Sequence, residues 1–208
     1  MTAPDSPTGY ALLIPVKDAR NAKSRLGVGD DRERAELMAA FARDAITAAT
    51  AVAGIAVHVV GDEAALGELL DGLAVTVLPD EGEGDLNRAL DRAATRVAAS
   101  GTGVAVLLAD VPCLRTEDLA AAFASGTDRR YVADAAGTGT TLLIAPAGSA
   151  LDPRFGPGSA AAHAESGARG LTEPLLSLRL DVDTTDDLEA ALRFGVGVHT
   201  AKVASGRL

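Results

Sequence analysis

The stretch 103-GVAVLLADVPCL-114 decides the fold, because the apolar run 104-VAVLLA-109 passes without interruption into an aspartate, a valine and a proline. Apolar runs of strand length that do not alternate with polar residues mark strands covered on both faces, as in a parallel sheet between two helical layers. Asp110 stands where such a strand ends. In open sheets of this kind the ligand crevice lies beyond the carboxyl ends of the strands. An acid placed there faces a site while its strand stays buried.

The same grammar extends in both directions. Upstream, 10-YALLIPV-16 reads as a first strand and 17–30 as a long polar, glycine-punctuated loop. A helix is expected from Arg32 to Val52, capped by Asp30 or Asp31, with Leu37, Phe41, Ala45 and Ala48 facing inward. The segments 55–61 and 73–79 read as strands flanking a helix over 62–72, and a helix from Leu86 to Ala99 leads into the quoted strand. Downstream, Thr116 is expected to cap a helix running to Phe123, and 130–134 and 140–147 read as two further strands. Ser159 or Ala160 opens a short helix, 178-LRLDVDT-184 reads as a strand ending in acids, and 184–195 is a capped helix. Strands alternating with helices imply an α/β fold around a mostly parallel sheet with right-handed crossovers. The chain has 208 residues, enough for one such domain, expected over 10–208 after a disordered tail of residues 1–9.

Charge and cysteine usage narrow the function. A net charge of −10 speaks against a nucleic-acid partner, which needs a broad basic surface. No apolar run reaches the roughly 18 residues of a membrane span, and MTAPDSPTGY lacks the order of a signal peptide, so a cytoplasmic protein without a membrane partner is expected. Cys113 is the single cysteine, which leaves no internal disulfide and no zinc cluster. It reads as a small packing residue. His58 reads as a core or face residue of its apolar strand, and His163 and His199 show no partner in the sequence.

Against the acidic background, Lys17, Arg20, Lys23 and Arg25 crowd into the loop after the first strand, where nucleotide folds place their phosphate loop. This loop is neither a Walker loop nor a GxGxxG turn. It is either a pocket for phosphates or a solvated polar loop. Asp110, with Asp181 and Asp183 at a later strand end, offers oxygen ligands for Mg2+, the alternative being strand-end and turn acids. The loops 137-GTGTT-141 and 155-FGPGS-159 offer glycine backbone and hydroxyls for a second phosphorylated molecule, or are ordinary turns. Asn87 either caps its helix or reads a base.

These pieces, IPVK with AKSRL, DLNRAL, LLADVP, ADAAGTGTTLL, PRFGPGSAAAH and LRLDVDTTDDL, closely resemble one family across residues 10–198, the phosphoenolpyruvate or 2-phospho-L-lactate guanylyltransferases that start the side chain of coenzyme F-420. The resemblance implies a single-domain nucleotidyltransferase-type, Rossmann-like three-layer fold. It places Mg2+ on Asp110, Asp181 and Asp183, and the phosphorylated three-carbon acid at Thr140 or Thr141 with Gly156 and Ser159. It assigns Lys17, Lys23 and Arg25 to the GTP phosphates and brings Asn87 to the nucleoside. Ala109 departs from the glycine usual before the acid, and Thr141 is an extra threonine.

The reaction implied is phosphoenolpyruvate plus GTP giving enolpyruvyl-diphospho-5'-guanosine and pyrophosphate, in a monomer or small homo-oligomer. 2-Phospho-L-lactate and 3-phosphoglycerate are alternative acceptors. A cytidylyl- or molybdopterin-type nucleotidyltransferase, and a nucleotide-binding module without turnover, are the other readings.

Overall fold

The computed structural model describes residues 9–16, 29–98 and 101–205. Among these, the strands are β1 (Tyr10–Pro15), β2 (Ile55–Val60), β3 (Thr76–Leu78), β4 (Gly103–Leu107), β5 (Arg130–Ala133), β6 (Thr140–Ala145) and β7 (Arg169–Gly170). They form one sheet in the order β3-β2-β1-β4-β6-β5-β7. β1 pairs parallel with both β2 and β4, and β2 pairs parallel with β3. β6 runs antiparallel to β4 and to β5, while β7 lies parallel to β5.

The sheet is mostly parallel, as expected, and the reversal of β6 within it has a local cause. A parallel return needs a crossover of a dozen or more residues, and the 134-DAAGTG-139 connection is too short for one. A hairpin is the only closure available. β7 is a two-residue edge strand with no sequence signal of its own.

The helices are α1 (Asp31–Thr50), α2 (Glu63–Leu70), α3 (Leu86–Val97), α4 (Thr116–Ala124), α5 (Ser159–Glu165), α6 (Leu176–Arg179), α7 (Thr185–Phe194) and α8 (Val198–Ser205). They cover both faces of the sheet. Leu12 and Ile14 of β1 pack with Ala42, Ala45 and Ile46 of α1 and with Leu119 and Phe123 of α4. Leu13, between them in sequence, packs on the opposite face with Leu90 and Ala93 of α3. This two-sided burial is why the strand reads as unbroken apolar sequence. Each such leucine contributes about 1.5–3 kcal/mol on burial.

A third cluster joins Leu37 and Phe41 of α1 to Cys113, Val182, and Leu188 and Ala191 of α7. It seats the turn that follows β4. Asp30 caps α1 through a reciprocal box with Glu33, and Thr184 caps α7 in the same way with Asp187.

Three local expectations are corrected. Asp85, not Asn87, caps α3, accepting from the N–H groups of Asn87 and Arg88. Arg115 occupies the N-cap of α4, and Thr116 instead donates its hydroxyl to Ala48 O at 3.1 Å. The stretch 178–184 is not a strand: α6 occupies its start and 180–183 has no regular structure. Its alternation arises because Leu178 and Val182 are buried and Leu180 packs beside Val182, while Arg179 and Asp181 between them are only partly buried. α6 is pinned by Asp118, which accepts from Ser177 N at 3.0 Å and Ser177 Oγ at 2.6 Å.

Candidate active site

Strand order reverses between β1 and β4, so the carboxyl ends of these two strands bound the crevice of the sheet. The residues after β1 begin the basic segment, and Lys17, Arg20, Lys23 and Arg25 lie outside the described residues. At the end of β4 the chain continues through Leu108, whose N–H donates to Thr141 O at 2.9 Å, to Asp110. Because β6 is reversed, its beginning lies beside the end of β4. Thr140 and Thr141 therefore reach the same edge as Asp110, which a parallel strand would have denied them.

The 180–183 segment arrives at that edge too. Val182 N donates to Asp110 O at 3.0 Å, with the Val182 side chain fully buried beneath. This backbone bond sets the two acidic segments side by side. The electrostatics report the crowding: burial, and then the charges of Asp110, Asp183 and Asp134, push the Asp181 carboxyl up to about 7. Among the described residues, no three Asp, Glu, His or Cys side chains close into a metal-holding group by themselves.

The two glycine-rich loops meet as well. Ala160 N donates to Thr138 O at 3.1 Å, which joins 137–141 to the start of α5. Asp134 shapes the first loop by accepting from Thr138 N at 2.8 Å and Gly139 N at 2.7 Å. A side chain at 139 would collide with it, since a Cβ there would lie 2.5 Å from the Asp134 carboxylate. In the second loop Gly156 has φ +136°, a conformation that L side chains rarely adopt. Ser159 is buried at the first turn of α5, and its N–H is taken by Gly156 O at 3.1 Å.

Asn87 supports this loop from below. Its side-chain amide donates to Phe155 O at 2.9 Å and accepts from Phe155 N at 2.7 Å, so both ends of the amide are engaged by one residue's backbone. His163 is fully buried beside it, with Nε2 accepting from Arg154 N at 2.9 Å and Nδ1 lying 2.9 Å from Thr140 Oγ1. Thr141 turns the other way, its hydroxyl 3.5 Å from Val132 O.

Asp134 and His163 were not singled out in the sequence as site residues. The first had a signal, an aspartate opening a Gly/Thr turn, which is the pattern of a side chain bonded to the backbone ahead of it. The second had none, because its partners come from two other segments. His58 is half-buried in β2, where burial lowers its pKa, and Cys113 packs in the third cluster with its thiol pushed up to about 11 by burial.

A mostly parallel sheet of this order, helices on both faces and an acid at the strand-end crevice define a doubly wound α/β protein. A structure from Desulfovibrio desulfuricans G20 named as a nucleotide-diphospho-sugar transferase superposes with a TM-score of 0.70 at 18% identity, covering 95% of each chain. 4-Diphosphocytidyl-2C-methyl-D-erythritol synthase superposes with a TM-score of 0.57 at 15% identity, covering 89% of this chain and 98% of its own. The phosphoenolpyruvate guanylyltransferase of Streptomyces coelicolor is 45% identical over 203 residues, which cover 94% of this chain and 96% of its own. That of Mycobacterium leprae is 39% identical over 202 residues, covering 93% of each. The chain belongs to the CofC-like guanylyl transferase family, which matches residues 10–204. It is a nucleotidyltransferase.

Proposed function

We propose that this enzyme transfers GMP from GTP to phosphoenolpyruvate, giving enolpyruvyl-diphospho-5'-guanosine and pyrophosphate in coenzyme F-420 biosynthesis. Likeness over nearly the whole length to relatives named for that reaction supports the choice of acceptor over 2-phospho-L-lactate. GTP and phosphoenolpyruvate are cytoplasmic metabolites, and we place the reaction there. The observation that carries the reading is the bond from Val182 N to Asp110 O, which puts Asp181 and Asp183 beside Asp110 at the switch point of the sheet.

The acceptor is a phosphate monoester whose second pKa is about 6, so at neutral pH it already presents an anionic oxygen to the α-phosphorus and needs no general base. What remains is positioning and charge. The Asp181 carboxyl, pushed up to about 7 by burial and then by the charges of Asp110, Asp183 and Asp134, stands where a hard cation would relieve it. We assign Asp110, Asp181 and Asp183 to Mg2+, with substrate oxygens completing a shell that the described side chains do not close alone. Bound there, the ion supplies neutralisation of the phosphates.

We assign the phosphorylated acid to Thr140, Gly156 and Ser159. Thr140 is chosen over Thr141 because its hydroxyl lies on the side of the 155–159 loop, whereas that of Thr141 turns toward β5. Lys17, Lys23 and Arg25 are assigned to the GTP phosphates. Asn87 is assigned the support of the 155–159 loop in place of a contact to the base, since both ends of its amide are engaged there.

Pyrophosphate release from GTP, measured with phosphoenolpyruvate, 2-phospho-L-lactate and 3-phosphoglycerate in parallel, tests the reading. Release is expected with phosphoenolpyruvate, falling by about 100-fold or more in Asp110→Asn. GTP binding without release for any acid would leave a nucleotide-binding module. Release with CTP in place of GTP would point to another transferase.

A further inference from the structure

We propose that His163 is a positioning residue that fixes the proton of the Thr140 hydroxyl toward the bound phosphorylated acid, through a hydrogen bond from its own Nδ1–H. The inference rests on the assignment of Thr140 to that acid. The tautomer follows from the geometry. Arg154 N is a backbone donor that reaches Nε2 at 2.9 Å, so Nε2 carries a lone pair and no hydrogen. In a neutral imidazole the remaining proton sits on Nδ1. Burial, and then the nearby charge of Arg129, lower the pKa of His163 to about 4, so the ring is neutral throughout the working range.

Thr140 Oγ1, 2.9 Å from Nδ1, must then accept. A hydroxyl that accepts from the histidine has its own hydrogen left to donate. An anionic oxygen takes that hydrogen, and a phosphate or a carboxylate serves equally.

The ring also ties together the parts that surround it. It sits on α5, holds the backbone at Arg154, and meets the Phe155 ring edge-on with centroids 5.1 Å apart. Its two nitrogens thus couple the 151–159 loop to the start of β6. One side chain sets both the register of the loop and the direction of the hydroxyl.

Paired substitutions separate the two nitrogens. His163→Asn keeps an amide donor near the Nδ1 position, whereas His163→Gln keeps an amide oxygen near the Nε2 position. His163→Gln is expected to raise KM for phosphoenolpyruvate about tenfold with KM for GTP unchanged, and His163→Asn to stay within about threefold of wild type. In a Thr140→Ala background the glutamine is expected to add less than about twofold.

Equal effects of the two variants, or an equal rise in KM for GTP, would overturn the proposal. A rise with Thr140→Ala but none with His163→Gln removes the inference and leaves the ligand assignment standing. No effect of Thr140→Ala removes both. Should the variants not fold, nitrogen NMR of the wild-type imidazoles decides: the chain has 3 histidines, and His163 is expected as the neutral Nδ1–H form at pH 7. The Nε2–H form or an imidazolium at that pH would refute it.

Discussion

Asp181→Asn should stabilise the metal-free protein at alkaline pH. The Asp181 carboxyl rises from 3.8 to about 7 in the folded chain, through burial first and then through Asp110, Asp183 and Asp134. Above pH 7 the folded state holds an aspartate that it accommodates poorly, whereas the unfolded chain ionises it freely. The folded state therefore binds more protons between the two values, and stability falls as pH rises through that window. Below it, the penalty is absent.

At face value the full shift corresponds to about 4 kcal/mol. The side chain is only partly buried, and solvent screening reduces this to about 2 kcal/mol. Urea denaturation in EDTA is the assay. The asparagine variant is expected to gain about 2 kcal/mol over wild type at pH 8 and less than about 1 kcal/mol at pH 5. Mg2+ should narrow the gap at pH 8, because only wild type has the third carboxylate to offer it. An asparagine variant less stable than wild type in EDTA at pH 8, or a gain equal at both pH values, would refute the crowding of these acids.

Two further outcomes concern the frame around the site. Arg130 is fully buried and donates to the carbonyl oxygens of Ala122, Phe123 and Asp128, so Arg130→Met leaves acceptors unsatisfied and should cost about 3 kcal/mol in urea denaturation, a loss under about 1 kcal/mol contradicting this role. Cys113 is buried with its thiol pushed up to about 11, so a thiol reagent at pH 8 should label it only in denaturant, and rapid labelling of the native protein would show that the third cluster opens.

Most of the scaffold was legible because both faces of the sheet are covered. The run 10-YALLIPV-16 and the quoted stretch could hardly be anything but buried strands, and the acid after the second fell at the crevice. The segment 178–184 misled for a physical reason: one-sided burial of Leu178 and Val182 imitates a strand whether or not a neighbour supplies a ladder. Asn87 and His163 were illegible in a different way. Their roles lie in bonds to Phe155, Arg154 and Thr140, far away in sequence, and nothing in the flanking residues announces a partner reached only after folding. The acids are legible as types at strand ends and by family likeness, but the backbone bond that brings the 181–183 segment beside Asp110 is one that no spacing encodes.

The bond from Val182 to Asp110 also dates the assembly of the crevice during synthesis. Even the central strand waits, since Tyr10 pairs with Gly103. A chain emerging from the ribosome can build β1, α1 and β2 early, yet the crevice lacks its 181–183 wall until the DVDT segment has cleared the exit tunnel. Until β4 has emerged the flank of β1 is uncovered, so the nascent protein is at its most adhesive well before the 181–183 segment arrives.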